Sequence, residues 1–383
     1  MSKSKITFNK PYLCGNELKY IKDAVSRKHL SGNGYYTNKC QDYFETRYNF
    51  TKCLLTQSGT GALEMAATLL NIEPGDEVII PSYTFTSTAN AFILRGASVR
   101  FIDSRRDHPG MDENSIESLI TEKTKAIVVV HYAGIACYME EILKIAEKYN
   151  LYIVEDAAHA IDSHYHYLNP EKKSRPLGGI GHIGAFSFHE TKNIISGEGG
   201  MITVNDPALV SRAEIIWEKG TDRAAFFRGE VDKYGWKDEG SSFLPSEITA
   251  AFLWAQIENL DFIQKKRLAI WETYQAQLSD WAKRKSVNTP FIPSYAENNA
   301  HMYYLVPESL KLRNHYIHEL KKSGIEAIFH YQSLHSSTFF KNKHDGRELT
   351  ESDRYSDCLM RLPLFVELTS DDQKRIIDTL KSL

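Results

Sequence analysis

Lys192 lies in the segment Ser187-Phe188-His189-Glu190-Thr191-Lys192-Asn193, with Gly197-Glu198-Gly199-Gly200 just beyond it. The apolar run at 185–188 reads as a strand, and a second run at 201–204 reads as another. A lysine at a strand end, walled by apolar groups, loses hydration, which lowers its pKa and frees the amine to attack a carbonyl carbon. A single lysine is ordinarily a solvated surface charge, so the chemistry depends on what accompanies it.

Three other segments have residue types that would complete such a site. In Thr56-Gln57-Ser58-Gly59-Thr60-Gly61 the small residues Gly59, Thr60 and Gly61 open a helical stretch. Backbone N–H groups and the helix dipole favour a phosphate there, although a Ser N-cap before a glycine turn has the same pattern. The apolar run at 151–154 ends in Glu155 and Asp156, with His159 shortly after. Asp156 suits either a cationic ring nitrogen or a helix cap, and His159 either a ligand hydroxyl or the core. Pro81-Ser82-Tyr83-Thr84-Phe85-Thr86 carries rings that pack in a core or stack on a planar heteroaromatic group. A phosphate site, an aromatic platform, an acid for a ring nitrogen and a lysine for an aldehyde are together what pyridoxal 5′-phosphate requires. Asp156 then keeps the pyridine nitrogen protonated, while Lys192 carries the cofactor and moves a proton at the reacting carbon.

Two other motifs fail on context. Gly179-Ile180-Gly181-His182-Ile183-Gly184 has the spacing of a dinucleotide fingerprint, but a polar loop precedes it and a strand follows. His189-Glu190 lacks the second histidine of a zinc helix, so no metal is expected.

The elements that must position these residues are legible as alternation. Short β-branched runs at 77–80, 99–102, 126–130, 152–154, 185–188 and 201–204 alternate with stretches of helical spacing such as 114–120 and 139–149. The pattern predicts an α/β domain whose mainly parallel sheet is covered on both faces and carries ligands at its strand carboxyl ends. From about 253 a long helical pattern runs to 275, followed by Thr289-Pro290-Phe291-Ile292-Pro293, strands at 303–306 and 325–329, and helices at 313–322 and 371–380. The expected organisation is a large domain with an N-terminal arm over 1–252 and a smaller α+β domain over 253–383, with a surface loop at 169–176. A formal charge of −3 offers no general attraction for nucleic acid or an anionic membrane. No apolar run approaches a bilayer span or follows the N-terminus as a leader, so a cytoplasmic protein is expected. The 5 cysteines are scattered without a C-x-x-C pair and read as reduced thiols.

Taken in order, residues 11–17, Gly75-Asp76-Glu77-Val78-Ile79-Ile80-Pro81, Glu155-Asp156-Ala157-Ala158-His159-Ala160 and Arg361-Leu362-Pro363-Leu364-Phe365 resemble the sugar-nucleotide aminotransferases of the DegT/DnrJ/EryC1 group over nearly the whole chain. The resemblance implies the aspartate aminotransferase fold (fold type I) and a homodimer with active sites at the subunit interface. It implies that Lys192 carries the cofactor, Asp156 contacts the pyridine nitrogen, Phe85 stacks on the ring, and His159 lies near the ring hydroxyl. Gly59, Thr60, Gly61 and Ser187 would hold the phosphate.

Within the group, His189-Glu190-Thr191-Lys192-Asn193, Phe226-Phe227-Arg228-Gly229 and Val231-Asp232-Lys233-Tyr234 resemble enzymes that aminate dTDP-4-oxo-6-deoxy-D-glucose with L-glutamate as donor. The galacto product, dTDP-4-amino-4,6-dideoxy-D-galactose for a surface polysaccharide, is expected ahead of the gluco one. Tyr36, His330, Tyr331 and His335, from segments rich in aromatic and imidazole groups, are candidates for the substrate pocket. The chain departs from its relatives at Leu244, where many have Asn or Arg reaching the neighbouring subunit's phosphate. Ser241 or Ser242 would have to substitute, and Asp222 would put a carboxylate near that phosphate. A related dehydratase would need histidine in place of Lys192, and a non-catalytic sugar-nucleotide sensor would not need the whole set.

Overall fold

The computed structural model describes residues 5–383. Its centre is a 7-stranded sheet of order β1-β9-β8-β5-β4-β2-β3. The strands are β1 (Cys53–Thr56), β2 (Glu77–Pro81), β3 (Ser98–Ile102), β4 (Thr124–Val130), β5 (Tyr152–Asp156), β8 (Ile183–Ser187) and β9 (Gly200–Val204). A small ribbon, β6 (His164–Tyr165) with β7 (Arg175–Pro176), lies in the β5–β8 connection. Strands β8, β5, β4, β2 and β3 run parallel, and β9 is antiparallel to both β8 and β1.

Alternate side chains of each strand enter different cores. Ile127, Val129 and Ile153 face one, while Ala126, Val128 and Val154 face the other. A sheet buried on both faces needs apolar residues at nearly every position, which is why these strands read as continuous apolar runs. The first face is covered by α1 (Glu17–Ser26), α2 (Tyr35–Tyr48), α5 (Met139–Tyr149) and α8 (Glu247–Ile257). The second is covered by α3 (Gly59–Leu69), α4 (Thr86–Ile93) and α6 (Pro207–Trp217), with the short α7 (Arg223–Phe227) beyond.

The smaller unit contains the later part of α9 (Leu260–Arg284), α10 (Leu310–Lys322), α11 (Thr350–Cys358) and α12 (Ser370–Lys381) around a sheet of order β10-β12-β11. Its strands are β10 (Tyr303–Leu305), β11 (Ile328–Phe329) and β12 (Met360–Leu362). Leu260 and Ile263 of α9 join the large core, whereas Ile270 and later residues join the small one. The expected boundary at 252/253 therefore falls inside α8.

Other expectations change for tertiary reasons. The stretch 114–120 forms two short 3-10 turns, because the Asp112 carboxylate takes the Asn114 amide and the Ser115 hydroxyl, and 7 residues are too few to propagate an α-helix. Only Ile328 and Phe329 of 325–329 join a ladder, since Ile325 bridges Ile6 of the N-terminal arm instead. The helical pattern from 253 is two helices, interrupted at Glu258-Asn259, where the Asn259 side chain donates to the Ala255 carbonyl at 3.0 Å. The Gly179-Ile180-Gly181 turn does form an anion-binding nest, but for the protein itself: the Gly178, Ile180 and Gly181 amides donate to the Glu155 carboxylate at 2.7, 2.6 and 2.6 Å. Among the described residues no helix is long and apolar enough to cross a membrane.

Candidate active site

The return from β8 to β9 is closed by backbone bonds from Phe188 to Gly199 (2.8 Å) and from Glu190 to Gly197 (3.0 Å). This hydrogen-bonded return leads the chain back into the antiparallel β9 and carries Lys192 near Asp156 at the carboxyl end of β5. Asn193 anchors the loop to α9 and to the segment 299–301. Its amide donates to Gln264 Oε1 (2.8 Å) and the Asn299 carbonyl (2.9 Å), and its Oδ1 lies 2.8 Å from His301 Nδ1. Lys192 itself forms no ion pair or side-chain hydrogen bond among the described residues. Burial lowers its amine to about 8; the Asp156 charge opposes this shift and the Arg361 charge adds to it.

Asp156 ends β5 with 6% exposure. Its Oδ2 accepts from the Thr88 hydroxyl at 2.7 Å and its Oδ1 from the Ala158 amide at 3.2 Å. Thr88 is placed in turn by Thr84, hydroxyl to hydroxyl at 2.9 Å. Burial pushes the Asp156 carboxyl up, and the Thr88 hydroxyl, the Ala158 amide and the Lys192 charge oppose it. The result is a carboxylate oriented by fixed donors near an amine it does not pair with, an arrangement able to hold a proton on an aromatic ring nitrogen.

The glycine segment forms the N-terminus of α3. Ser58 is its cap, with Oγ accepting from the Gly61 amide at 3.0 Å. The helix start presses against the end of the β8–β9 pair so closely that a Cβ on Gly59 would lie 2.8 Å from Ser187 Cβ. A Cβ on Gly200 would lie 2.3 Å from the Ser58 carbonyl carbon. Gly59, Thr60, Gly61 and Ser187 thus converge as a helix N-terminus flanked by hydroxyls. Ser87 joins them, its Oγ 2.8 Å from Thr60 Oγ1.

His159 stacks on His301 at 4.2 Å, and its Nδ1 accepts from the Ala133 amide at 3.3 Å. Its Nε2 lies 3.5 Å from the Tyr331 hydroxyl, and burial holds it well below the usual imidazole range. Tyr331 also lies 5.8 Å from the ring of Phe85, which precedes α4 and is 54% exposed. His330 Nδ1 is 2.8 Å from the Tyr132 hydroxyl, in the same aromatic cluster.

The structure does not bring Tyr36 and His335 to this cluster. Tyr36 is 2% exposed between α1 and α8, where Asp23 takes its hydroxyl at 2.9 Å and Glu247 takes its backbone amide at 2.7 Å. His335 lies beside β2, with Nδ1 2.7 Å from Ser82 Oγ and Nε2 3.5 Å from Asp353. Both side chains are spent on packing within this chain. Asp222 is occupied in its own loop, accepting from the Gly235 amide at 2.7 Å. Leu244 packs on Gly32, while Ser241 and Ser242 are exposed.

Ser87, Thr88, Tyr132, Asn299, His301 and Arg361 also border this site, beyond the residues expected from the sequence. The polar run Thr86-Ser87-Thr88, at a helix start just past Phe85, was a usable signal for the first two. Asn299 and His301 have no local signature, because long-range folding alone brings them under Lys192.

Comparison with known proteins accords with this geometry. The sequence profile of the DegT/DnrJ/EryC1/StrS aminotransferase family matches residues 12–381. The chain is 31% identical over 356 residues to an uncharacterized protein of Methanocaldococcus jannaschii, covering 91% of this chain and 89% of that protein. It is 29% identical over 387 residues to the spore coat polysaccharide biosynthesis protein SpsC of Bacillus subtilis, covering 99% and 97%. A Streptococcus pneumoniae protein assigned as a sugar aminotransferase, solved in its PLP form, superposes with a TM-score of 0.87 at 26% identity over 99% of this chain and 98% of that one. The fold is the aspartate aminotransferase-like fold type I. Because the profile spans nearly the whole chain and the superposition leaves almost nothing of either protein outside it, this chain belongs to the DegT/DnrJ/EryC1/StrS aminotransferase family.

Proposed function

We propose that this protein is a pyridoxal 5′-phosphate-dependent aminotransferase that moves the amino group of L-glutamate to the C4 ketone of a nucleotide-linked 6-deoxyhexose. The substrate is dTDP-4-oxo-6-deoxy-D-glucose and the product dTDP-4-amino-4,6-dideoxy-D-galactose, destined for a surface polysaccharide. The observation that carries the reading is the unpaired, burial-lowered amine of Lys192 facing the anchored carboxylate of Asp156. The residues present fit the cofactor. Lys192 would hold its aldehyde carbon, Asp156 its ring nitrogen, Phe85 a face of its ring, and the α3 N-terminus with Ser187 its phosphate.

When bound, the cofactor supplies an electron sink for the carbon that exchanges its amine. Asp156 keeps a proton at the ring nitrogen, and the Thr88 and Ala158 donors fix the direction of its oxygens. Lys192, whose lowered amine leaves an appreciable neutral fraction near physiological pH, takes and returns the proton at the reacting carbon. The aromatic wall of Tyr132, His159, His330 and Tyr331 excludes water from that carbon.

The 4-keto-sugar assignment rests on the resemblance of the segments at 189–193, 226–229 and 231–234. The polysaccharide role is supported by the printed role of the Bacillus subtilis relative. A homodimer is supported by exposed apolar side chains on α1, α7 and the loop after it, among them Leu18 (78%), Phe227 (66%) and Trp236 (84%). The test is to incubate purified protein with cofactor, L-glutamate and the keto-sugar nucleotide, follow 2-oxoglutarate release, and determine the product's C4 configuration by NMR. Amination at C4 with axial nitrogen is expected, with loss of both turnover and the cofactor's visible band in Lys192→Ala. A keto-sugar left unchanged, or a fully active Lys192→Ala, overturns the assignment.

A further inference from the structure

A second cavity lies at the other end of β8 from the active site. β8 reaches the cofactor cradle at Ser187, whereas Gly179, just before its first residue Ile183, borders this cavity. The space is about 740 Å³, between the end of α2 with Tyr48 and Phe50 on one side and the β6–β7 ribbon with Tyr167 on the other. That volume lies within the roughly 300–1,000 Å³ of small-molecule pockets. None of Leu18, Phe227 and Trp236, the exposed apolar side chains assigned to the dimer, lines it.

The walls are built by packing. Tyr48 spends its hydroxyl on Asp162, donating at 3.0 Å, so its ring is left as a wall. Phe50 lies 5.4 Å from the Tyr48 ring and so close to Gly179 that a Cβ there would meet Phe50 Cε1 at 2.7 Å. Arg175 is fixed on β7 opposite Tyr165, and its guanidinium donates to the Gly179 carbonyl. Lys172 Nζ lies 5.0 Å from the Tyr167 ring centroid, so a cation and a ring face are within reach of one ligand.

The charge around this space is one-sided. Lys172, Lys173 and Arg175 line it, no carboxylate does, and none of the three is in an ion pair among the described residues. By contrast Arg47 and Lys52, on either side of Tyr48 and Phe50 in the chain, pair with Asp162 and Asp261 and with Glu45 and Glu214. Three cations gathered at one recess repel each other, and an anion relieves that repulsion. Aromatic walls add a preference for a ligand with a planar, uncharged part. A nucleoside diphosphate has both parts: a base whose face stacks on a ring, and phosphates that accept from several N–H donors. A bilayer surface would need a flat or convex basic face, whereas these cations surround a concavity.

We propose that this cavity is a nucleoside diphosphate site separate from the active site, with Tyr167 against the base and Lys172, Lys173 and Arg175 on the phosphates. The inference is independent of the aminotransferase reading.

The test is calorimetric titration of holoenzyme with ADP, chosen because a thymidine nucleotide would also enter the proposed active site. Wild type should bind ADP at one site per chain, more weakly as salt rises. Lys172→Glu combined with Lys173→Glu, both exposed in wild type, should weaken binding roughly 10-fold or more. Tyr167→Ala, which leaves the charge unchanged, should weaken it about 10-fold. Thermal melting checks that each variant is folded. Pyrophosphate should compete with ADP but bind less tightly, and adenosine should bind less tightly still. Absence of ADP binding by wild type, or binding untouched by both variants, overturns the site. Pyrophosphate binding as tight as ADP with Tyr167→Ala silent overturns the nucleoside and leaves a bare anion site. Cosedimentation with phosphatidylserine vesicles that the lysine variant abolishes, without ADP binding, overturns the proposal in favour of a membrane contact. Each of these results leaves the proposed aminotransferase function standing.

Discussion

Lys192 differs from a surface lysine in its proton affinity. At about 8 rather than the ordinary 10.5, about one amine in ten is neutral at pH 7, against fewer than one in a thousand for an exposed lysine. The neutral form is the nucleophile, so the sign is fixed: capture of pyridoxal 5′-phosphate by cofactor-free protein should accelerate as pH rises and flatten above about 8. Stopped-flow absorbance between about pH 6 and 10 checks this, and a rate still climbing beyond 9 would mean that burial does not act on Lys192 as described. Lys192 and Asp156 stood out because one lies just past an apolar run and before a glycine-rich stretch, and the other ends an apolar run three residues before a histidine. Tyr36 and His335 illustrate the reverse: Tyr, Phe and His serve cores and pockets alike, and composition does not say whether Asp23 or Ser82 has already claimed the side chain.

At the scale of elements, the site is a meeting of strand ends with one helix start. The contact between α3 and the β8–β9 pair leaves no room for a side chain at Gly200. Gly200→Ala should therefore cost roughly 1–3 kcal/mol of stability through overpacking and weaken cofactor affinity more than a surface Gly→Ala, measured by thermal melting and by titrating the cofactor band. An unchanged melting temperature together with unchanged affinity would count against this contact as the determinant of the phosphate cradle. The strands that build this junction were readable from their unbroken β-branched runs, since a sheet buried on both faces leaves no polar alternation. The antiparallel direction of β9 was not. It follows from the backbone hydrogen bonds that close the return after Ser187, and residue types alone do not specify return geometry.

For the whole molecule, Leu18 of α1, Phe227 of α7 and Trp236 of the following loop present largely exposed apolar side chains. Replacing Trp236 and Leu18 together by aspartate should shift the proposed dimer toward monomer in sedimentation and lower turnover, and a variant still wholly dimeric would locate the interface elsewhere. The α/β class and the strand runs were readable along the chain, and the Lys192, Asp156 and glycine segments stood out there as candidates, because burial and backbone chemistry leave local marks in period and composition. Only the tertiary structure decided that Thr88 orients Asp156, that Asn193, Asn299 and His301 anchor the Lys192 loop, and that Glu155 fills the decoy glycine nest. These contacts join residues as far apart as Asn193 and Asn299. Their energies depend on which groups share one desolvated volume, a property of the folded chain that no local pattern records.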